Sequence, residues 1–510
     1  MLSSSSNNKR IAKNTLYLYF RLLLHMGISL YTSRIVLSIL GIEDFGIYNV
    51  VGGIIILFTF INNSMVLSTQ RFLNYEIGRN NYTLVQQVFS TSFYIHLCLA
   101  LFVLIIGETI GLWLLDNFIQ YPINREKAVY TIYHLTILTT CFNIIRAPYN
   151  ASIIAYEKMS FYAYISIVEV SLRLVIVYIL LFFDLDRLIL YAILILIVTL
   201  CINFCYYNYC KKYFSTVSIV FYWNKQLFYK MFSFSGWNLF GSFANVAVSQ
   251  GQSILLNMFF GVTLNAAMGI VTHVQSAIFS FASNFQTAFH PQIIKSYAIG
   301  DHDYFVNLIF VTSKYSYFLL FVISLPLYIC CSEVMSLWLV EVPVYTVELT
   351  RLIIIFSLLD ALQIPFWISV QATGRIRNYQ IGVSLFIILS LPISYLALHM
   401  GFSPLIVLQI RCTMNFLLLY VRLLFMKGLF DFSIIKYVNK VLRRVVWVTM
   451  IAMLTAFIPF NISNPIIKVL VVVLLTFLFN VVLIYKIGLE NKERFILRSW
   501  IICKYKKYNG

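Results

Sequence analysis

The side chains through which this sequence could do chemistry are charged and amide groups set inside long apolar runs. Arg34, Arg146, Lys314 and Arg411 stand within such runs, as do the carboxylates Glu169 and Asp360 and the imidazoles His25 and His273. An ionisable group among aliphatic side chains is costly unless it meets a partner or a wet cavity. Cations outnumber carboxylates in this set, an excess that predicts a cavity prepared for something anionic. Arg146 shares its helical face with Asn143 and Asn150 and is the foremost cavity residue. Glu169 and Arg173 have the spacing of a mutually satisfied helical pair. Arg21 and Arg422 lie near the ends of their runs, where a long side chain can carry its charge to the interface. Proton or Na+ coupling would fall to Asp360, Glu169, His25 or His273, and no spacing selects among them.

Neutral polar residues extend the pattern. Asn238, Asn245 and Gln252 recur along one apolar run and Gln275 stands on the next, with further amides and hydroxyls between them. At helical spacing these form stripes, and the stripes predict a polar cleft in which amides bind by hydrogen bonding and arginines by charge. No catalytic constellation, metal-ligand spacing or cofactor motif is present. The nine cysteines are scattered, mostly in apolar segments, and read as small buried hydrophobes.

The elements that must position these groups are about fourteen apolar runs: 15–40, 45–66, 84–106, 129–155, 161–182, 189–209, 230–259, 265–289, 306–330, 348–372, 379–399, 404–426, 444–461 and 466–486. Each is long enough for a hydrocarbon core of roughly 30 Å, which takes about 20 helical residues. With 61% apolar residues and a mean hydropathy of +0.85, the 510-residue chain reads as an all-α polytopic membrane protein. The polar start, MLSSSSNNKR, leads directly into a run read as a retained helix.

The net charge of +18 would suit nucleic-acid binding if it were clustered. Instead, the basic residues collect on alternate connections. Arg71, Arg79, Lys158, Lys230, Lys295, Arg375, Arg377, Lys436 and Lys440 fall on one side, while Glu43, Asp44, Glu108, Asp116, Asp186 and Glu333 fall on the other. Short loops with this bias place both termini in the cytoplasm and remove the need for a polyanion. Basic loops also suit anionic lipid headgroups.

An internal repeat organises the runs. Pro148 and Ala155 in RAPYNASIIAYEK match Pro365 and Ala372 in QIPFWISVQATGR at one constant offset, and Gly41 and Gly78 have counterparts in Gly261 and Gly300. Parallel repeats of this kind predict two pseudo-symmetric six-helix lobes, 15–209 and 230–426. Around them lie an N-terminus (1–14), a basic linker (210–229), two appended helices with their preceding loop (427–486) and a basic tail (487–510).

The segment from Lys13 to Ile54, with its glycine-centred GIEDFGIY, together with QRFLNYEIGR at 70–79 and the stretch from Pro148 to Lys158, resembles one known family. It is similar to the polysaccharide transporter branch of the multidrug/oligosaccharidyl-lipid/polysaccharide exporter superfamily. That branch comprises O-antigen and capsule repeat-unit flippases of the bacterial inner membrane. The resemblance implies fourteen helices, a cationic central cavity open alternately to each side, and movement of undecaprenyl-pyrophosphate-linked oligosaccharide by a functional monomer in contact with glycan polymerase machinery. Three other readings stand beside it. A multidrug/cation antiporter shares the architecture but is expected to have a more acidic lumen, and a flippase for the lipid-linked peptidoglycan precursor shares the cavity cations. An integral-membrane glycan polymerase or ligase would need a larger exterior loop than 107–128 or 331–347, so the chain is read as a transporter and not an enzyme.

Overall fold

The structure, a computed structural model, describes residues 2–118, 125–183, 186–220, 224–339, 342–457, 462, 464–491 and 493–495, and no strand occurs among them. The side chains of parts of the first and eighth helices, Arg34 included, lie outside the described residues. So does most of the expected basic tail. The helices are α1 (Leu2–Gly78), α2 (Tyr82–Ile106), α3 (Leu112–Phe118), α4 (Glu126–Ala155), α5 (Met159–Ile179), α6 (Arg187–Tyr213), α7 (Lys225–Phe260), α8 (Val262–Ile299) and α9 (His302–Ile329). They continue as α10 (Cys331–Trp338), α11 (Thr346–Thr373), α12 (Arg377–Ile388), α13 (Ser390–His399), α14 (Ile406–Leu429), α15 (Ile434–Tyr437), α16 (Arg443–Met453) and α17 (Pro465–Leu483). Among the described residues, nine helical segments are long and apolar enough to cross a membrane. The protein is an all-α, multi-pass membrane protein.

Two compact units divide the chain. Unit 1 is Met1–Phe240, Thr287–Asp301 and Gln371–Gln380, and unit 2 is Gly241–Gln286, His302–Val370 and Ile381–Gly510. In unit 1, α4 is the central helix. Its buried residues Val129, Ile132, Tyr133, Ile137, Cys141 and Ile144 fall three or four apart and pack on Leu99 and Val103 of α2, Val177 of α5 and Leu180 just past its end, and Tyr191 of α6. In unit 2, Leu256, Met268, Val271, Leu349, Ile353 and Val407 form the corresponding apolar cluster. Membrane-spanning helices gain from close packing and internal hydrogen bonds, because lipid is as apolar as the core itself. Accordingly, Leu470, Leu474 and Leu478 of α17 face outward while Thr476 and Asn480 are buried.

Proline is absent from the first 78 residues, and α1 is helical through the stretch expected to form a glycine-centred turn. Its contacts show its course. Leu18 packs beside Ile154 near the end of α4, and Asp44 pairs with Arg125 just before the start of α4. Gly78 then returns to the backbone of Lys295, whose ammonium binds the Ala155 carbonyl at the end of α4. Thus α1 traverses unit 1 twice.

Similar local devices recur in the two units. Pro148 in α4 leaves its helix one N–H short, and Ser152 Oγ donates to the Pro148 carbonyl at 2.9 Å. Pro365 and Ser369 repeat this in α11 at 2.7 Å. Asn203 donates to the Phe142 carbonyl at 3.1 Å, and Asn415 donates to the Phe356 carbonyl at 3.4 Å. Just past these two helices, Glu157 (φ 58°) and Gly374 (φ 75°) occupy the left-handed region that commonly ends a helix.

A methyl group on Gly78 would lie 2.9 Å from Lys295 Cα, closer than real side chains approach. Gly78→Ala should therefore destabilise the detergent-solubilised protein by about 1–3 kcal/mol through overpacking. Thermal melting of the variant checks this, and an unchanged melting temperature would refute the close packing of α1 on α8.

Candidate functional site

Unit 2 encloses a polar cavity of about 50 Å³ at the level of α11 and α14. Asp360, Arg411 and Arg422 line it, with Asn245, Ser390 and Asn415. The two arginines differ in support. Arg411 Nη1 donates to Gln252 Oε1 at 3.2 Å, and its guanidinium lies 4.2 Å from the centre of the Phe356 ring. Arg422 is only 9% exposed, and its Nε has no hydrogen-bond partner among the described residues. It therefore does not carry its charge to the interface as expected. The helix α14 runs on to Leu429, which leaves Arg422 well inside the helix and on its inward face with Leu418 and Leu419. Below it, Gln363 Nε2 donates to Asn415 Oδ1 at 2.7 Å. A water needs roughly 10–15 Å³ of such space, so the cavity admits a few waters or a small ion and excludes a drug-sized solute.

In unit 1 the charges are spent on one another. Glu169 Oε2 accepts from Arg146 at 3.2 Å and Oε1 accepts from Arg173 at 2.8 Å, so the helical pair expected from spacing is a three-residue bridge. Arg146 also lies 5.3 Å from the Tyr206 ring centre. Asn143 and Asn150 each keep a buried amide oxygen without a hydrogen-bond partner among the described residues. Arg21 Nη1 donates to Tyr162 Oη at 3.1 Å, and His25 is exposed on α1. Asn238 Oδ1 accepts from Gln371 and Gln380, and His290 stands between Gln70 at 3.2 Å and Gln371 at 3.3 Å.

The ends of α4 and α11 in unit 1 are closed by cations from distant sequence. The last carbonyls of a helix lack internal donors and carry partial negative charge. Lys295 Nζ donates to the Ala155 carbonyl at 2.6 Å and to Glu157 Oε1 at 2.7 Å, while Gln292 holds the other oxygen of Glu157. Arg71 Nε donates to the Gln371 carbonyl at 3.0 Å and Nη2 to that of Ala372 at 2.7 Å. Gly374 is obligatory there, because a Cβ would come within 2.7 Å of Arg71 Nη2. Burial brings the Arg71 guanidinium down to about 10, so it remains charged at neutral pH.

Lys314 lies apart from the unit 2 cavity, 2% exposed and bound by both oxygens of Glu493, whereas Asn245 lines that cavity and its Nδ2 donates back to the Gly241 carbonyl. Gln275 is partly buried and His273 exposed, both on α8. The structure thus brings together Asp360, Arg411 and Gln252, and separately Arg146 and Glu169. Sequence reasoning missed Glu493 as the partner of Lys314 and the helix-end roles of Arg71 and Lys295. The matching Ala155 and Ala372 were the available signal for those roles.

Fold and sites together define an all-α, multi-pass membrane scaffold. A family model, MatE, matches residues 18–179, less than half of the chain. A crystal structure described as MATE in the straight conformation superposes with a TM-score of 0.71 at 11% identity, covering 83% of this chain and 96% of that one. An outward-facing multidrug resistance MATE family transporter of the MOP superfamily gives 0.69 at 12% identity, covering 82% and 95%. A MOP superfamily transporter from Pyrococcus furiosus, described as having a binding pocket of reverse polarity that suggests a different function, gives 0.69 at 11% identity over the same shares. No curated protein matches the chain.

These matches correct the expected identity. The matches do not support the polysaccharide-transporter assignment, with its lipopolysaccharide, O-antigen and capsule associations, or transport of undecaprenyl-pyrophosphate-linked oligosaccharide: the likeness found is to MatE and to MATE structures. The partners which that assignment implied, the lipid-linked glycan and glycan polymerase machinery, go with it. The physical reason lies in what the quoted segments build. Residues 13–54, 70–79 and 148–158 form α1 and the end of α4, which pack the scaffold, and most of them fall inside the MatE match. Such residues report a shared helix arrangement and carry no information on cargo.

Replacing Glu169 by Gln leaves Arg146 and Arg173 without their shared counter-charge. The expected loss is roughly 1–2 kcal/mol, because the pair is only partly buried. Melting in detergent reads this, and a variant as stable as the parent would show that the bridge carries no stability.

Proposed function

We propose that the chain is an ion-coupled secondary transporter of the MATE fold that exports small organic solutes across the bacterial inner membrane by alternating access. The fold likeness over most of the chain supports the class of protein. The observation that carries the mechanism is the small cavity of unit 2, where Asp360 faces Arg411 and Arg422 and makes no hydrogen bond or ion pair among the described residues. A carboxylate kept in a space for waters or a small ion suits it to gaining and losing a proton. When ionised it neutralises one guanidinium, and when protonated it leaves both uncompensated, so the packing of α11 on α14 differs between the two states. Glu169 is less suited, since both of its oxygens are already bound by arginines.

The finer architecture belongs to the same reading. Two six-helix lobes with two appended helices, fourteen spans in all and both termini cytoplasmic, agree with the recurring Pro148–Ser152 and Pro365–Ser369 contacts and with the loop charges. Solute contact is assigned to Asn143 and Asn150, whose buried amide oxygens keep no hydrogen-bond partner among the described residues. Because Arg146, on the face of α4 that carries Asn143 and Asn150, shares the single carboxylate of Glu169 with Arg173 and so leaves one positive charge in excess, a second reading is favoured for the cargo: solutes with an anionic group over purely cationic ones. The reversed pocket polarity described for the Pyrococcus furiosus transporter is a parallel on the same fold.

In proteoliposomes with an imposed pH gradient, transport of carboxyfluorescein should exceed that of ethidium. Asp360→Asn should lower gradient-driven transport about tenfold or more while leaving the protein folded, an effect of the size expected for loss of an essential proton-transfer group. Gradient-driven transport by the Asn variant at the parental rate would refute the coupling role.

A further inference from the structure

Unit 1 holds a second cavity, of about 1110 Å³, that the transport reading does not use. Its wall draws on three separate stretches of sequence: the last turns of α1 with the first turns of α2, the start of α7, and the α11–α12 connection. They bring together Arg71, Arg79, Lys230, Arg375 and Arg377 against a single carboxylate, Glu76. Each of these cations lies on a segment that orientation in the membrane already explains, but orientation requires only that loops be basic. It does not require that they converge on one concavity, nor that one of them be buried. Arg71 is 5% exposed and fixed by two backbone carbonyls, so part of the positive wall is held rigid before any ligand arrives. Glu76 is a weak counter-charge: burial raises its carboxyl above the usual range, and its Oε2 is buried with no hydrogen-bond partner among the described residues.

The remaining wall is also specific in kind. Tyr75, Tyr229 and Trp237 face the same space, with amides from Asn224, Gln226 and Asn378. Arg377 lies 5.4 Å from the Trp237 ring centre, which orients its guanidinium. Planar forks of this type match the oxygens of a phosphate better than a lone carboxylate, and aromatic faces accept a planar ring beside them. The volume is that of a site for a whole small molecule rather than an inorganic ion. The aromatic faces on the wall favour a water-borne ester that carries a planar ring over a lipid headgroup, which has none.

We propose that this basic cavity of unit 1 is a binding site for a soluble phosphate ester carrying a planar ring, a nucleotide-like small molecule. It is independent of the Asp360 cavity, so the transport reading and this one fail separately. Full-length protein in phosphatidylcholine nanodiscs should bind ADP in isothermal titration, and inorganic phosphate more weakly. Arg375→Glu with Arg377→Glu, both at exposed positions, should weaken ADP binding at least about tenfold, the loss of one or more charge-assisted contacts. Lys436→Glu with Lys440→Glu makes the same change in net charge elsewhere and should leave binding unaltered. The proposal is overturned if ADP does not bind, if the cavity variant binds like the parent, or if the control pair loses as much. It is also overturned if native mass spectrometry in mixed nanodiscs shows selective retention of phosphatidylglycerol with no ADP binding.

Discussion

A helix that ends inside a membrane protein leaves carbonyls that must find donors, and the ends of α4 and α11 are built around that need. Arg71 closes α11 and Lys295 closes α4, each from a helix far away in sequence. Much else at this end follows. Gly374 is required so that Arg71 can approach, Gly78 so that α1 can lie on α8, and Glu157 accepts a left-handed conformation because Lys295 and Gln292 bind its carboxylate. Two cations thereby become structural, although by type alone they looked like orientation charges.

The same economy of charge separates scaffold from site. Glu169 satisfies Arg146 and Arg173, and Glu493 satisfies Lys314, so these groups resemble buried ion pairs that hold packing in place. Asp360 and Arg422 are not treated in this way. Their charges face a shared space too small for cargo, which is the arrangement expected of a switch and not of a strut. Breaking a satisfied pair should act on stability, whereas neutralising Asp360 should act on coupling.

The helical, membrane-spanning character was legible because apolar runs of the right length have few other fates. Several described helices start or stop within a few residues of those runs: 84–106 became α2 (Tyr82–Ile106), and 348–372 became α11 (Thr346–Thr373). Nine spans emerge among the described residues where about fourteen were expected, partly because α7 and α8 carry their amide and hydroxyl stripes in place of apolar windows. Less was legible at the sites. Spacing within one helix revealed the Glu169–Arg173 pair but could not reveal Arg146 as its third member, which comes from a different helix. The placement of Arg422 depended on how far α14 continues, and that is set by packing. Cargo was the least legible of all, since the recognisable segments build the scaffold.

If the MATE fold of this chain couples solute export to an ion through Asp360, solute flux carries that ion with it in the opposite direction. The most direct measurement is proton movement on solute addition, in proteoliposomes loaded with a pH-sensitive dye and given no initial pH gradient. A solute gradient alone should drive proton flux in the opposite direction, with a fixed ratio of protons to solute. Solute transport with no proton movement, in buffers with and without Na+, and with no dependence on a Na+ gradient, would contradict the account.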